Sequence, residues 1–494
     1  MSNGKKKLEH NKQVVDEYIQ DKKISFAEMV SMDEGLEFLE HMVNEGIAAS
    51  FSKAEYKKDR EFISNYEVFP MIYMMNILSG EWSGRRTRKI LTNEAMLRIL
   101  GFNEEEIANG LTKRGSKNQY GEGFAKKPGI MASTTVIDNL ACFGYSGLEN
   151  CFNEYVRKVS SNGVVDFGED YLLDSTIVET EADYPGAKRV KKRDEEGEET
   201  GEVVWGFKVF ILTSAKTRTP VAIYITTGND ADSPMLTEMV KRGVANLGEG
   251  KIKRVIADRG FIDGPQMYHM KHRMGIDFVI PARKNMDIWS CTVGLRNENK
   301  GNIEEWKYGK KGLSGGYLSK ESVSYSQYAE KPAGTKKGES GAPINAVVVT
   351  RWANQEITPG NEKVILSSLD TDSAIELIQI YGKRSLIENC NFRELKQAVA
   401  LKALPQYKNK NTEKTAKIHM LLCVFTLTVF NVLVDTVYAA PVEAGEKIPK
   451  NIREFRFVKG CEKSKIFVLV KQYYHIYDMG EFLALSGFSF VDPD

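Results

Sequence analysis

The 494-residue chain predicts a layered, mixed α/β fold, and three features of residues 169–285 carry that expectation. Three apolar runs, DYLLDSTIVET, VVWGFKVFILTS and PVAIYITTG, follow one another with turn residues between them and read as strands. Two stretches of helical spacing come next, SPMLTEMVKRGVANLG and GPQMYHMKHRMG. Two short apolar runs, RVIAD and IDFVIPA, alternate with them. Three strands, then helix, strand, helix and strand, make a sheet with helices laid on it.

The remaining segments are placed around this core. Residues 10–60 carry helical periodicity with mixed charge, and FPMIYMMNILSGEWSGRRTRKILTNEAMLRILGF reads as two helices about a glycine-containing turn. Residues 83–127 hold ten Lys or Arg against five Asp or Glu. A basic helical module for DNA and a solvated helix surface both fit that excess. Between 286 and 366, strand-like runs such as PINAVVVTRW and KVILSSL are separated by Gly- and Lys-rich loops, as in a β-rich insertion. DTDSAIELIQIYGKRSLIENCNFRELKQAV then reads as one long helix opened by Asp and Ser. IFVLVKQYYHIYDMGEFLALSGF closes the chain as a small strand-and-helix unit. The expected organisation is a helical region over 1–150, a core over 165–285, the insertion over 286–366, the rest of the core over 367–440, and a C-terminal unit over 441–494.

Composition narrows the class. A net charge of +1 and 42% hydrophobic residues suit a soluble protein of two or more domains, and neither point to nucleic acid nor exclude it. Six scattered cysteines without a CxxC pair speak against a zinc site or disulfide framework and for a reducing cytoplasm. The start, MSNGKKKLEHNK, lacks the apolar core of a secretory signal. IHMLLCVFTLTVFNVLV, at 418–434, is short for a membrane span and carries His419, Thr426, Thr428 and Asn431, so it is expected as a helix inside a large core.

The chemistry lies with three acids. Asp258 ends the RVIAD run, where either turn chemistry or a crevice at the carboxyl edge of a sheet accounts for it. Asp174 interrupts YLLDSTIV on one strand face with Leu172 and Thr176. A carboxylate buried there needs a donor, a cation or a metal. If the two strands are parallel neighbours, the two acids approach one another, and a divalent cation is the natural counter-charge. Glu388 stands in a basic stretch, 381–417, with nine Lys or Arg against three Glu. It is either an i,i+4 partner of Arg384 or a metal ligand among phosphate-binding cations, with Glu394 as its rival.

In order, LLDST, WGFKV, VIADRGF and YGKRSLIENCNFRELK resemble the DDE transposases of bacterial insertion sequences, in particular the insertion-sequence-four type with a β-rich insertion before the glutamate. The resemblance covers roughly residues 70–490. It implies an RNase H-like fold in which Asp174, Asp258 and Glu388 are the catalytic acids and hold two Mg²⁺ or Mn²⁺ ions. It implies cleavage and strand transfer on double-stranded DNA, the transposon ends and the target, by a homodimer that forms on DNA. A cytoplasmic, nucleoid-associated protein with no membrane partner follows from it. The family's helical signature is kept at Tyr381, Arg384 and Glu388, and the resemblance makes Tyr381 and Arg384 DNA contacts beside that acid. Lys396 comes one residue late. At about 100° per residue, eight positions after Glu388 is rotated by roughly 80°, so Lys396 either reaches DNA from the flank or follows a bulge. Lys208 in WGFK matches a family position, as a DNA contact or as an ordinary lysine on a hairpin surface. Trp289, Trp306 and Trp352 match no motif and are expected to pack, while His269 and His272 are expected on a helix surface. KRVKKRDEEGEE, at 188–199, is expected as a solvated turn.

Two other functions remain. A DNA-binding regulator that kept the fold and lost transposition is opposed by the presence of all three acids. A glycosidase pair of carboxylates is opposed by the basic helix and the few aromatics around them.

Overall fold

The computed structural model describes residues 8–30, 35–58, 65–80, 88–111, 130–193, 199–298, 303–308, 314–330, 342–353, 356–370, 373–405, 411–437, 449–461 and 465–487. The chain divides into two compact units. One is Met1–Tyr155 with Glu394–Pro405 and Lys414–Asp494, and the other is Val156–Arg393 with Gln406–Glu413. Residues 367–440, expected as one segment, are shared between them.

The second unit is built on a ten-stranded sheet. Its strands are β1 (Asp170–Thr180), β2 (Lys188–Arg193), β3 (Glu199–Ser214), β4 (Pro220–Thr227), β5 (Arg254–Ala257), β6 (Asp277–Pro281), β7 (Ile303–Tyr308), β8 (Ser314–Ser324), β9 (Pro343–Ala353) and β10 (Glu356–Ser367). The order is β2-β3-β1-β5-β6-β10-β9-β8-β7, with β4 also on β3. β4, β3 and β1 are antiparallel, whereas β1, β5 and β6 are parallel. That pattern is the RNase H-like sheet. It arises because the first three runs are joined by short turns, while β5 and β6 each follow a helix, as parallel crossovers require. Those helices are α1 (Met235–Leu247) and α2 (Gly264–Met274). α1 buries Leu236, Met239, Val240, Gly243 and Leu247, a stripe at helical spacing. α2 opens where Asp263 accepts the Gln266 N–H at 3.1 Å and ends at Gly275, whose φ of 68° only glycine adopts readily.

The β-rich insertion is not set apart from this sheet. β10 pairs antiparallel with β6, Leu366 against Ile280, and β9, β8 and β7 follow outward. It also contains a helix, α3 (Asp287–Glu298), that its sequence did not announce. The solvated turn expected at 188–199 is instead β2 over Lys188–Arg193, paired with the first half of β3. Its lysines and arginines belong to an edge strand, where charge discourages pairing with another chain; residues 194–198 of that turn lie outside the described residues.

The expected long helix is broken into α4 (Ala374–Gly382), a π turn (Ile387–Phe392) and α5 (Arg393–Gln397). Ser373 caps α4, accepting the Glu376 N–H at 3.2 Å.

In the first unit the two ends of the chain share a four-stranded sheet. Its strands run Glu9–His10, Tyr473–Asp478, Lys465–Val470 and Phe26–Val30. Val15 and Ile19 of one helix pack with Ile466, Val468 and Tyr477 beneath it. The helix Thr412–Thr436 is long and apolar enough to cross a membrane, but 89% of its apolar window is buried inside the protein. Its His419 is fully enclosed. The imidazole donates from Nε2 to the Ala400 carbonyl at 3.1 Å and accepts at Nδ1 from the Tyr73 hydroxyl at 2.7 Å. Burial pushes its pKa down to about 4, so the ring is neutral. Of the basic span 83–127, residues 83–87 and 112–127 lie outside the described residues, and the rest forms the helices Arg88–Thr92, Glu94–Ile99 and Glu104–Asn109.

Gly206 explains the WGFK motif. A Cβ there would stand 2.3 Å from the Val178 carbonyl oxygen, because β1 and β2 flank β3 at this point. Gly206→Ala is therefore expected to lower stability by about 1–3 kcal/mol, read as a lower urea midpoint at an unchanged slope.

Candidate functional site

The parallel pairing of β1 with β5 sets Leu173 against Ala257, so the next residues along, Asp174 and Asp258, end up side by side at the strands' carboxyl edge. Asp174 is 8% exposed, its strand face shared with buried Leu172 and Thr176. Asp258 caps nothing: it precedes the 3₁₀ turn Arg259–Phe261 with no side-chain bond to that turn. Its carbonyl closes the turn by accepting the Phe261 N–H at 3.0 Å, while its carboxylate takes no part in the turn and lines the crevice. Phe261, 1% exposed and edge-on to Phe210, anchors the turn behind it.

Glu388 arrives from the π turn. Backbone bonds of the tight i→i−3 kind run through Lys383, Arg384, Leu386 and Ile387, and the chain then widens into the π turn. Ile387, Asn391 and Phe392 are buried, and Asn391 donates to the Arg218 carbonyl at 2.8 Å, which pins the π turn to the connection between β3 and β4. A π turn holds one residue more than an α turn. A bulge in this helix was one of the two expectations raised by the late position of Lys396. Lys396 itself is half-buried and belongs to the first unit.

The three acids meet at one cation. Arg384 Nη1 lies 3.3 Å from Asp174 Oδ2 and 3.7 Å from Asp258 Oδ1, and Nη2 lies 2.8 Å from Glu388 Oε1. Burial raises the Asp174 pKa to about 7; Arg384 and the Ser175 N–H work against the rise, and Asp258 and Glu388 add to it. Burial prevails because the Arg384 contact is long for an ion pair. For Arg384, burial opposes the charge, but the surrounding acids outweigh it and hold the guanidinium protonated. Burial also raises the Tyr381 pKa, keeping its phenol protonated beside Arg384. A further pair of cations ties this helix to the sheet: Asp170 at the start of β1 accepts from Arg254 at 2.7 Å and from Lys383.

Lys208 is not on a hairpin surface. It is 9% exposed and gives two of its protons to Asp232 at 2.8 Å and to the Asp230 carbonyl at 3.0 Å. Trp289 and Trp306 are half-buried, and the side chain of Trp352 lies outside the described residues. His272 lies on the exposed side of α2 against Tyr268.

From Asp258 a cleft of about 920 Å³ opens between β2 and the loops after β4 and β6. Arg189, Lys191, Lys192, Arg259 and Arg283 line it, against Asp230, Asp232 and Asp258. Sequence reasoning missed Asp170, Arg254 and Asp232. The last had a readable signal, since GNDADSP places acids after a strand just as VIADRG does.

An all-carboxylate donor set is the chemistry of a hard cation such as Mg²⁺ or Mn²⁺. Among the described residues no three acids, imidazoles or thiols stand close enough to enclose one ion without rearrangement. The three carboxylates already share a single positive group, and Asp174 is short of counter-charge, so the residues fit such an ion.

Residues 167–427 match the family described as transposase DDE domain, more than half of the chain. Among solved structures the chain is similar to the cryo-EM structure of a piggyBac transposase synaptic complex with hairpin DNA, at 12% identity and a TM-score of 0.41. That likeness covers 88% of this chain and 82% of the other. No curated protein sequence matches the chain.

Asp174 sets a pH dependence. Its folded pKa is raised above the ordinary 3.8, so its contribution to stability is full below about pH 4 and is lost as pH rises through about 7. Without divalent ions, unfolding free energy is expected to fall across that window by on the order of a few kcal/mol more in the wild type than in Asp174→Asn. Urea unfolding of both proteins in chelator checks this; parallel profiles would assign the titration elsewhere.

Proposed function

The chain belongs to the transposase DDE domain family, and on that premise we propose that it is the DNA transposase of an insertion sequence. It binds terminal inverted repeats and catalyses metal-dependent DNA cleavage and strand transfer. Its place in the bacterial insertion-sequence-four type is part of the proposal and rests on the order of LLDST, VIADRGF and YGKRSLIEN. The observation that carries the reading is the meeting of Asp174, Asp258 and Glu388 at one guanidinium.

In this reading the three acids would hold two Mg²⁺ or Mn²⁺ ions, which when bound would supply an activated water and Lewis-acid stabilisation of the attacking and leaving oxygens. The chain's own residues do the rest. Asp174 gives up its proton when a stronger counter-charge than Arg384 is present. Arg384, released from the acids, offers its planar fork to two phosphate oxygens. Tyr381, held protonated by burial, donates a hydrogen bond to the DNA backbone, Lys396 adds positive charge along the DNA, and Lys208, paired with Asp232, borders the same cleft. The basic cleft beginning at Asp258 suits a sugar-phosphate strand. Water attacks the phosphodiester at the transposon end and frees a 3′-hydroxyl; that hydroxyl attacks a target phosphodiester, and one P–O bond replaces another without ATP. The active species is a homodimer assembled on double-stranded DNA, in the cytoplasm at the nucleoid.

Asp258→Ala is expected to abolish Mg²⁺-dependent cleavage of the element's own end while a gel shift with that DNA persists. Wild-type cleavage by this variant would remove the assignment. Arg189→Ala, at an exposed cation of the cleft, is expected to weaken binding of every DNA sequence alike. It should reduce the slope of log affinity against log salt by about 1, measured by fluorescence anisotropy.

A further inference from the structure

Asp230 and Asp232 sit two residues apart in the loop after β4, yet they do different things. Asp230 turns back on its own loop, bonded to Thr226 and to Thr227. Asp232 turns toward the paired acids. Its Oδ1 accepts the Ser175 hydroxyl at 2.8 Å and pairs with Lys208 Nζ at 2.8 Å. Ser175 is the neighbour of Asp174, and its N–H is bonded to Asp174 Oδ1 at 2.7 Å. Asp232 Oδ2 lies where a Cβ on Gly260 would be 3.0 Å away, and Gly260 is two residues beyond Asp258. One carboxylate thus bonds the residue beside the first acid and stands next to the turn that carries the second, and Lys208 on the intervening strand fixes it there. Asp232 side-chain exposure is 25%, so it lines the same cleft as Asp258 without touching any of the three acids itself.

We propose that Asp232 is a positioning residue that sets the spacing of Asp174 and Asp258 for a divalent cation, acting through Ser175 and through the Gly260 turn. This rests on the transposase reading of the site. The glycine is consistent with it: a Cβ at 260 would press to 3.0 Å from Asp232 Oδ2 and shift that carboxylate by a few tenths of an ångström. The proposal also gives Lys208 a role the sequence did not suggest, as the counter-charge that holds Asp232 in place.

The test is Mn²⁺ binding to the full chain without DNA, by calorimetry, joined to single-turnover cleavage and DNA affinity. Asp232→Ala is expected to weaken Mn²⁺ binding and slow cleavage by about 10- to 100-fold, with DNA affinity nearly unchanged. Ser175→Ala leaves the Lys208 pair intact and so keeps the fold. It is expected to move both quantities the same way by about 3- to 10-fold, the worth of one hydrogen bond. Asp232→Asn, which still accepts from Ser175, should bind Mn²⁺ more tightly than Asp232→Ala. If Asp232→Ala does not fold, Ser175→Ala decides alone. Wild-type Mn²⁺ affinity in the Ser175 and Asp232 variants, or a loss confined to DNA affinity, overturns the proposal. Asp174→Ala separates the two levels. If that variant keeps wild-type Mn²⁺ affinity, the transposase reading of the site falls and takes this one with it. If it loses Mn²⁺ while the Ser175 and Asp232 variants keep it, only the positioning role falls.

Discussion

The parallel pairing of β1 with β5 is the constraint on which the site depends. It brings two carboxylates side by side at the carboxyl edge of the sheet, one buried and one facing the cleft, where like charges repel. Such a pair persists only with a counter-charge, and the protein brings one from another part of the chain. Arg384 approaches from the helix side, carries Glu388 one turn later, and makes a cluster of three acids around one cation. The remaining imbalance is visible at Asp174, which burial drives toward its neutral form. A cluster poised in this way has more to gain from a divalent cation than from one guanidinium.

The helix that delivers Arg384 and Glu388 is irregular where it matters. A tight turn through Lys383–Ile387 and a wide π turn after it change the pitch twice within ten residues. Asn391, bonded to the Arg218 carbonyl, and Lys383, bonded to Asp170, hold that irregular stretch against the β3–β4 connection and β1. Departures of this kind are stable only where the surroundings over-determine them, and they concentrate at functional sites.

The insertion and the core are one sheet. β10 adds to β6, so the strands of the β-rich segment extend the layer that carries the acids. The ends of the chain are joined by the same device in the first unit, where strands from both termini pair. Backbone hydrogen bonding across hundreds of residues thus ties together segments that composition alone would separate.

The sequence by itself determined five strands and two helices of residues 170–281, all but the charged strand at 188–193, because apolar periodicity and capping residues act locally. It also singled out Asp174 and Asp258, which interrupt or end apolar runs, and Glu388, an acid in a basic stretch that the family resemblance chose over Glu394; the buried helix expected at 418–434 is part of Thr412–Thr436. Only the tertiary structure decided what those acids touch. The break of the long helix into three pieces, the strand hidden in KRVKKR, and the merging of the insertion with the core each depend on partners far away in sequence. So do Asp232, Asp170 and Arg254, whose meaning lies in pairings made across strands. Local pattern reports which face of an element is apolar; the partner of a charge is fixed by register and crossover, and those form only when the sheet does.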